Sequence, residues 1–434
     1  MKIFIRLIIF YLSLFLSTTL IGSLLLFLPI TGRKTISFID AFFVTTSAFT
    51  VTGLSTVDIP SQFNTLGYIV ILLLIQIGGL GIVAVALFAL ILFNKKISFL
   101  NRELLMITWN FDEFGGVIKI LRNLFIYTII VESAGFLLLS IKFLPLFGLK
   151  KGLFISLFTS ISAFNNAGIS LFSNNLMSFS SDLYINFVVS FLIILGGIGP
   201  LVVYDIVVKK RFNKLHLHTK IVITATAFLI LFGTLSIFLL EYHHALSKLS
   251  IKDKLLTSYF QSVSTRTAGF NTIELNHLLP ATYAVMIFLM FIGAAPVSSA
   301  GGIKVTTFIL ILVFLWQNIR NYEYPYIFKR TIQFHQISKA LSIALLSFIL
   351  VIIVSLTMNL FQPDIAYHKQ LFEVTSAFGT VGLSTGITFD LNTCSKSLII
   401  IVMIVGKIGI ITLLALLTQR DTSNYRFADG KVHL

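Results

Sequence analysis

Gly53, Gly168, Gly269 and Gly382 each close a short polar loop set into apolar sequence: SAFTVTGLS at Ser47–Ser55, SAFNNAGIS at Ser162–Ser170, VSTRTAGFN at Val263–Asn271 and SAFGTVGLS at Ser376–Ser384. The glycines lie 115, 101 and 113 residues apart, and the first and last loops share S-A-F and G-L-S at matching offsets. Such loops offer one chemistry in common: backbone carbonyls can replace the hydration shell of a cation, and glycine supplies backbone conformations closed to other residues. Side-chain identity matters little when carbonyls coordinate, so T-V-T-G, N-N-A-G, R-T-A-G and G-T-V-G can serve in one ring. A single loop of this kind reads as a turn between packed helices. Four in register, each between two long apolar runs, do not.

The elements that must hold these loops follow from composition. The chain has 434 residues, 56% hydrophobic and 11% charged, where a soluble domain carries roughly 25% charged residues. Its mean hydropathy is +0.96. Crossing a hydrocarbon core of ~30 Å takes about 20 apolar residues. Runs of that length fall near Ile3–Pro29, Phe63–Phe93, Val117–Leu144, Leu183–Val208, Thr219–Leu240, Ala281–Leu315, Ser338–Phe361 and Ser397–Leu417, two per repeat. The first is too long for a secretory signal core. The shorter segments, such as Phe38–Phe49 and Lys369–Phe378, cannot cross and read as half-helices that enter and return as extended backbone. Irregular backbone at membrane depth must line water or be buried in protein, and the converging carboxyl ends of half-helices favour a cation. The expected fold is an all-α integral membrane protein: four span–pore-loop–span repeats with pseudo-fourfold symmetry around a central ion pore. The expected repeat bounds are 1–94, 95–215, 216–325 and 326–434.

The net charge of +15 does not point to nucleic acid. With the amino terminus inside, the inward segments hold 19 Lys/Arg and the outward segments 10. That excess follows the positive-inside rule and predicts cytoplasmic amino and carboxyl ends, with attraction to anionic lipid headgroups as a secondary consequence. Cys394 is the only cysteine, so no intrachain disulfide forms.

Within the apolar runs, Gly78-Gly79, Gly196-Gly197, Gly293 and Gly406 recur 24 to 28 residues after the loop glycines. In the first two clusters, small residues that let helices pack closely are the expected role. Repeat three differs: Gly293–Lys304 reads GAAPVSSAGGIK, with Pro296, Ser298, Ser299, Gly301 and Gly302 mid-span, and predicts a broken helix where a gate can sit. Ionisable groups at membrane depth are costly and functional by default. Lys407 is expected to form an electrostatic barrier below the loops or a tether to the broken segment. Arg266, just ahead of the third loop, is expected to brace the pore helices against Asp40 or Glu373. Glu132 lies in the first span of repeat two, apart from any loop, and reads as a packed, hydrogen-bonded or protonated glutamate, with a coupling-ion site as the sharper alternative.

An intramembrane enzyme would need an acid pair, a Ser/His constellation or a metal cluster facing one cavity. The 8 histidines lie at span ends, in loops or in the tail, and neither zinc-ligand spacing nor a phosphate-cradling loop is present. The chain is therefore read as no enzyme. Coupled transporters of other folds also break helices near the midplane, but as two inverted repeats; the count of four argues against them. A sodium- or proton-coupled cation transporter with weak potassium selectivity stays as the alternative function.

The four loops, the eight spans and the G-x-x-P…S-x-A-G-G-I-K stretch together resemble the Trk/Ktr/HKT superfamily of potassium transporters over essentially the whole chain. The first loop follows a single span, which favours the Ktr-type membrane subunits. The resemblance implies potassium uptake across the plasma membrane, with potassium as the only metal, no cofactor in this chain, and sodium as the candidate coupling ion. It further implies a homodimer and a cytoplasmic ring of RCK domains that carries the nucleotide. By position, the coordinating carbonyls would come from Val51, Thr52, Gly53, Asn166, Ala167, Gly168, Thr267, Ala268, Gly269, Thr380, Val381 and Gly382. Gly293–Lys304 would be the gating loop, including Lys304, with Lys407 below it. The chain departs from the family pattern twice: Val297 follows the proline where glycine is usual, which should stiffen the loop, and Lys407 stands where arginine is usual, without the bidentate fork of a guanidinium.

Overall fold

The computed structural model describes residues 2–93, 102–106, 117–296 and 298–410. Each repeat opens with a long straight helix: Lys2–Phe27, Val117–Phe147, Leu217–Glu241 and Phe334–Phe361. All of these are apolar enough and long enough to cross a membrane. A shorter pore helix follows, at Phe38–Thr50, Leu149–Phe164, Ile251–Ser264 and Tyr367–Gly379. The pore helices are half the length of a span, as expected, and their carboxyl ends are buried. Apart from 3-10 turns and a two-residue hairpin, Tyr326–Ile327 with Arg330–Thr331, the described regular structure is α-helix.

Local sequence sets where the helices begin. Ser37 and Ser250 cap pore helices one and three. Each serine hydroxyl accepts the N–H of an aspartate three residues on, Asp40 or Asp253, at 3.2 Å and donates back to its carboxylate. This satisfies a donor that the first helical turn leaves free. Asn64, Asp182 and Asn392 cap the helices that return from loops one, two and four. In repeat three the buried Glu241, at the end of the opening span, does this work: it accepts Leu279 N–H at 2.9 Å and the hydroxyl of Thr282 at 2.5 Å.

The returning helices correct one expectation. Glycines that only let helices pack closely were expected in repeats one and two, with a broken helix in repeat three. Instead the chain breaks in every repeat. Thr65–Leu80 and Ile82–Leu92 meet at 89° across Gly81, and Leu183–Ile198 and Pro200–Lys209 at 94° across Gly199. Repeat four breaks after Ile408 at Gly409, and repeat three unwinds from Ile292 to Lys304 between Pro280–Phe291 and Val305–Arg320. Gly81, Gly199 and Gly409 sit at φ 87°, 78° and 89°, where a side chain would be strained. Pro200 opens the second half of its pair, where its missing N–H costs nothing. The overlooked signal is the glycine three residues after the packing glycine: Gly78 and Gly81, Gly196 and Gly199, Gly406 and Gly409.

The packing role itself holds. A methyl group on Gly78, Gly196 or Gly406 would collide with the carbonyl oxygen of Phe49, Phe164 or Phe378, the last turn of the neighbouring pore helix. Adjacent residues separate the two glycine roles. A methyl on Gly196 meets Phe164 backbone, whereas one on Gly197 finds its nearest neighbours at 3.3 and 3.5 Å. Gly196→Ala should therefore lower stability by about 1–3 kcal/mol, as overpacking does. Gly197→Ala should leave it near wild type, and thermal unfolding of the two purified variants in detergent compares them directly.

Candidate functional site: a ring of four pore loops

Each pore helix ends by the same backbone device. Two residues before each loop glycine the chain turns left-handed, at Val51 (φ 54°), Asn166 (58°), Thr267 (75°) and Thr380 (49°). Asparagine visits this region readily; for β-branched Val and Thr it is a strained outlier that persists only where surrounding contacts over-determine it. Those contacts are present. Val51 and Thr52 N–H donate to Ala48 and Ser47 carbonyls at 3.2 and 2.8 Å, and the bonds from Asn166, Ala167, Thr380 and Val381 match them within 0.1 Å. The serine of S-A-F then pins the far side of the loop. Ser47 Oγ accepts Gly53 N–H at 3.0 Å, Ser376 Oγ accepts Gly382 N–H at 3.1 Å, and Ser162 Oγ donates to Ile169 carbonyl at 2.8 Å. Repeat three has no S-A-F, and Ser264, one position later, donates to Phe270 carbonyl in its place.

The loops meet in a closed order. A methyl on Gly53 would strike Ala167 O; on Gly168, Ala268 O; on Gly269, Val381 O; and on Gly382, Thr52 O. Each glycine thus faces the carbonyl preceding the glycine of the next repeat, and the fourth returns to the first. The glycines take φ 97°, 63°, 78° and 90°. Left-handed backbone and close approach both exclude a side chain there. The positions named from sequence, Val51–Gly53, Asn166–Gly168, Thr267–Gly269 and Thr380–Gly382, all lie on these turns.

The Gly293–Lys304 segment bonds to the repeats on either side of its own. Ala295 N–H donates to Gly197 carbonyl of repeat two at 3.0 Å, and Gly301 N–H donates to Thr380 Oγ1 of repeat four at 2.8 Å. Repeats two and four flank repeat three in the ring, so the segment ties its own repeat to both neighbours. Lys407 Nζ donates to Ser299 carbonyl at 2.5 Å. Lys304 Nζ turns back onto Ala300 carbonyl, also at 2.5 Å, and Ser298 Oγ onto Ala295 carbonyl at 2.6 Å. Val297, expected to stiffen the segment, lies outside the described residues. Between the segment and the helix breaks is a cavity of 530 Å³, lined by Gly81, Gly196, Gly406, Pro296, Lys304 and Lys407 among others. His218, His335 and Lys339 also line it, and among the described residues no carboxylate does.

The expected brace is corrected. Arg266 pairs with neither Asp40 nor Glu373. Its guanidinium is buried and donates to Thr226 carbonyl at 3.4 Å, in an apolar recess formed by Ile194, Ile230 and Ala294. Asp40 pairs with Lys396 at 2.6 Å, joining pore helix one to the returning helix of repeat four. The buried Glu373 accepts the hydroxyl of Thr388 within its own repeat. Sequence order places Asp40 and Lys396 at opposite ends of the chain, and only closure of the ring brings them together. A second correction concerns Glu132, which does contact a pore loop: Asn165 Nδ2 donates to its Oε1 at 2.9 Å.

Residues 12–424 match the TrkH family, whose description is a cation transport protein. The chain belongs to that family. It is 43% identical over 422 residues to the Ktr system potassium uptake protein B of Bacillus subtilis (strain 168), covering 96% of this chain and 94% of that one. To the protein of the same name from Vibrio alginolyticus it is 36% identical, covering 96% and 92%. The crystal structure of the potassium transporter TrkH from Vibrio parahaemolyticus superposes with a TM-score of 0.74 at 19% identity, covering 96% of this chain and 84% of that one, and so shares the fold. The chain is an all-α, multi-pass membrane transporter with pore loops, as its repeats and loops led us to expect.

Thr380 carries two loads, a left-handed backbone and the acceptor for Gly301 N–H. Thr380→Val should leave that buried donor unpaired and cost about 1–3 kcal/mol, whereas Thr380→Ser keeps the hydroxyl and most of the stability. Thermal unfolding of both variants in detergent tests the contact between the unwound segment and loop four.

Proposed function

We propose that the chain is the ion-translocating subunit of a potassium uptake system, with the ring Val51–Gly53, Asn166–Gly168, Thr267–Gly269 and Thr380–Gly382 as its selectivity filter. The observation that carries this reading is the closed order in which each loop glycine abuts the carbonyl of the next loop. Four pore-helix carboxyl ends and a ring of backbone oxygens favour a cation, and the Bacillus and Vibrio relatives, both potassium uptake proteins by name, support potassium as cargo. The chain acts as the four repeats bounded at 1–94, 95–215, 216–325 and 326–434, carries no cofactor and performs no catalysis. It lies in the plasma membrane with both ends cytoplasmic.

Gly293–Lys304 is the proposed gate and Lys407 its latch. In this reading the segment lies across the cation route, and a lysine ammonium held on Ser299 carbonyl puts positive charge there while it stays closed. Opening requires that bond and the Gly301–Thr380 bond to break together. The free energy for this is assigned to a cytoplasmic ring of RCK-type, nucleotide-binding domains acting on a homodimer of this chain; that the relatives are named as parts of a Ktr system supports a multi-subunit assembly.

The test is rubidium and sodium uptake into proteoliposomes under imposed membrane potentials. Wild type should take up rubidium, driven by the potential and blocked by excess potassium. Gly382→Ser, which puts a side chain against Thr52 carbonyl, should lower uptake by at least about tenfold, or ~1.4 kcal/mol. Sodium entering as readily as rubidium would favour the weakly selective, sodium- or proton-coupled alternative. Absence of flux, with or without the nucleotide-binding partner, would reject transport. Lys407→Ala removes a charge-assisted bond, and rubidium uptake without the partner should then rise by about fivefold or more.

A further inference from the structure

Behind the second filter loop lies a polar cluster that joins three elements. Gln76, on the returning helix of repeat one, donates through Nε2 to Glu132 Oε2 at 3.1 Å. Glu132 is on the opening span of repeat two and is 8% exposed. Asn165 is the last residue before the left-handed turn at Asn166. Its Nδ2 donates to Glu132 Oε1 at 2.9 Å, to Gln76 Oε1 at 3.2 Å and to Ile161 carbonyl at 3.0 Å. Its Oδ1 occupies the space that a methyl on Gly79 would need. The amide therefore cannot move without breaking its bonds to Glu132 and Gln76 or striking the neighbouring helix.

The next repeat shows the same location built differently. Ser160 Oγ donates to Glu132 carbonyl at 2.7 Å, and Ser262 Oγ donates to Ile230 carbonyl at 2.8 Å, so Ile230 is the counterpart of Glu132. Ile194 stands two residues before Gly196, as Gln76 does before Gly78. Arg266 precedes the left-handed Thr267, as Asn165 precedes Asn166. Ile194, Ile230 and Arg266 line one small recess, and no carboxylate is among its lining residues. The acid is thus not required to build a repeat interface of this fold. At the first interface it meets an amide that leads directly into a filter turn.

We propose that Glu132 is a positioning residue for the filter: through Asn165 it fixes the turn at Asn166–Gly168, and so sets the cation preference of the ring. This rests on the filter reading above. A hydrogen bond from the side chain of Asn165 restrains the backbone of that residue. The next two carbonyls belong to Asn166 and Ala167, and Ala167 O is the oxygen against Gly53. A slack second loop would let that oxygen retreat and widen one side of the ring. Glu132 itself touches no ion.

The experiment measures the ratio of rubidium to sodium uptake in proteoliposomes for wild type, Glu132→Gln, Glu132→Ile, Asn165→Ala and the Glu132→Ile/Asn165→Ala pair. Glu132→Gln keeps an oxygen for Asn165 Nδ2 and should hold the wild-type ratio within about twofold, less than the value of one hydrogen bond. Glu132→Ile copies the third repeat; it and Asn165→Ala should each lower the ratio by about fivefold, the equivalent of one bond of about 1 kcal/mol. The pair should do no more than the more severe of the two alone, because each already removes the Glu132–Asn165 bond. Should Glu132→Ile fail to fold, Asn165→Ala tests the same bond from the loop side. An unchanged ratio in Asn165→Ala, additive effects in the pair, or a fall in Glu132→Gln as large as in Glu132→Ile would each overturn the brace. No cation flux from wild type would instead overturn the filter reading and this inference with it.

Discussion

The structure depends on one steric constraint: four backbone turns have to approach so closely that no side chain fits between them. Gly53, Gly168, Gly269 and Gly382 each leave just enough room for the carbonyl of the neighbouring loop. Backbone polar groups brought to such a place cannot pair within a helix, and they need partners or water. Most of the surrounding architecture answers that need. The pore helices stop short so that their last carbonyls point inward, the S-A-F serines hold the ends of the loops, and the second row of glycines lets the returning helices press on Phe49, Phe164 and Phe378. The strain of left-handed Val51, Thr267 and Thr380 is sustained by this packing. None of these residues would choose that conformation on its own.

The breaks in the returning helices are a second consequence. The helix breaks and the unwound segment of repeat three border one cavity. Bends of 89° and 94° just past the packing glycines swing the second halves aside and leave the cavity. Repeat three spends its break differently. Its unwound segment is long enough to reach from Gly197 to Thr380, so it fills the space that the other breaks open. Its chain is stitched to itself, Gly293 N–H donating to Ile303 carbonyl at 2.8 Å, which keeps unwound backbone paired at membrane depth. Moving such an element would mean exchanging a few hydrogen bonds rather than unpacking a core.

Much of this was legible in the sequence because glycine has few reasons to recur in register. Loop glycines, half-length pore helices and the proline-containing segment each violate what an apolar span should look like, and violations can be read without coordinates. What could not be read depends on ring closure. Asp40 finds Lys396, 356 residues away, because repeat four packs beside repeat one. Glu132 looked remote from any loop because hydropathy orders residues along a span but does not say which neighbour a span faces. Arg266 looked destined for an acid because isolated buried charges are costly, yet Asp40 pairs with Lys396 and Glu373 takes the hydroxyl of Thr388 instead. The bends at Gly81 and Gly199, and the helix end at Gly409, were missed for a different reason. The packing glycines three residues earlier already accounted for a small-residue cluster, and a second glycine seemed to add nothing.

The residues immediately before the left-handed turns show how one backbone device tolerates four chemical settings. They are Thr50, Asn165, Arg266 and Gly379. Thr50 returns its hydroxyl to Thr46 carbonyl and meets the hydroxyl of Thr52 at 2.7 Å, staying within its own turn. Asn165 reaches two other helices, Arg266 reaches the opening span of its repeat, and Gly379 gives up its side chain where Met290 carbonyl and Gly302 press close. The ring is symmetric because carbonyls and glycines are the same in every repeat. The shell behind it is asymmetric because each turn has a different neighbour, and one of those neighbours is the unwound segment. A side chain at 379 would strike Met290 carbonyl, in the helix that leads into the unwound segment, so the backbone turn is kept in all four repeats while the residue before it is fitted to a different neighbour in each.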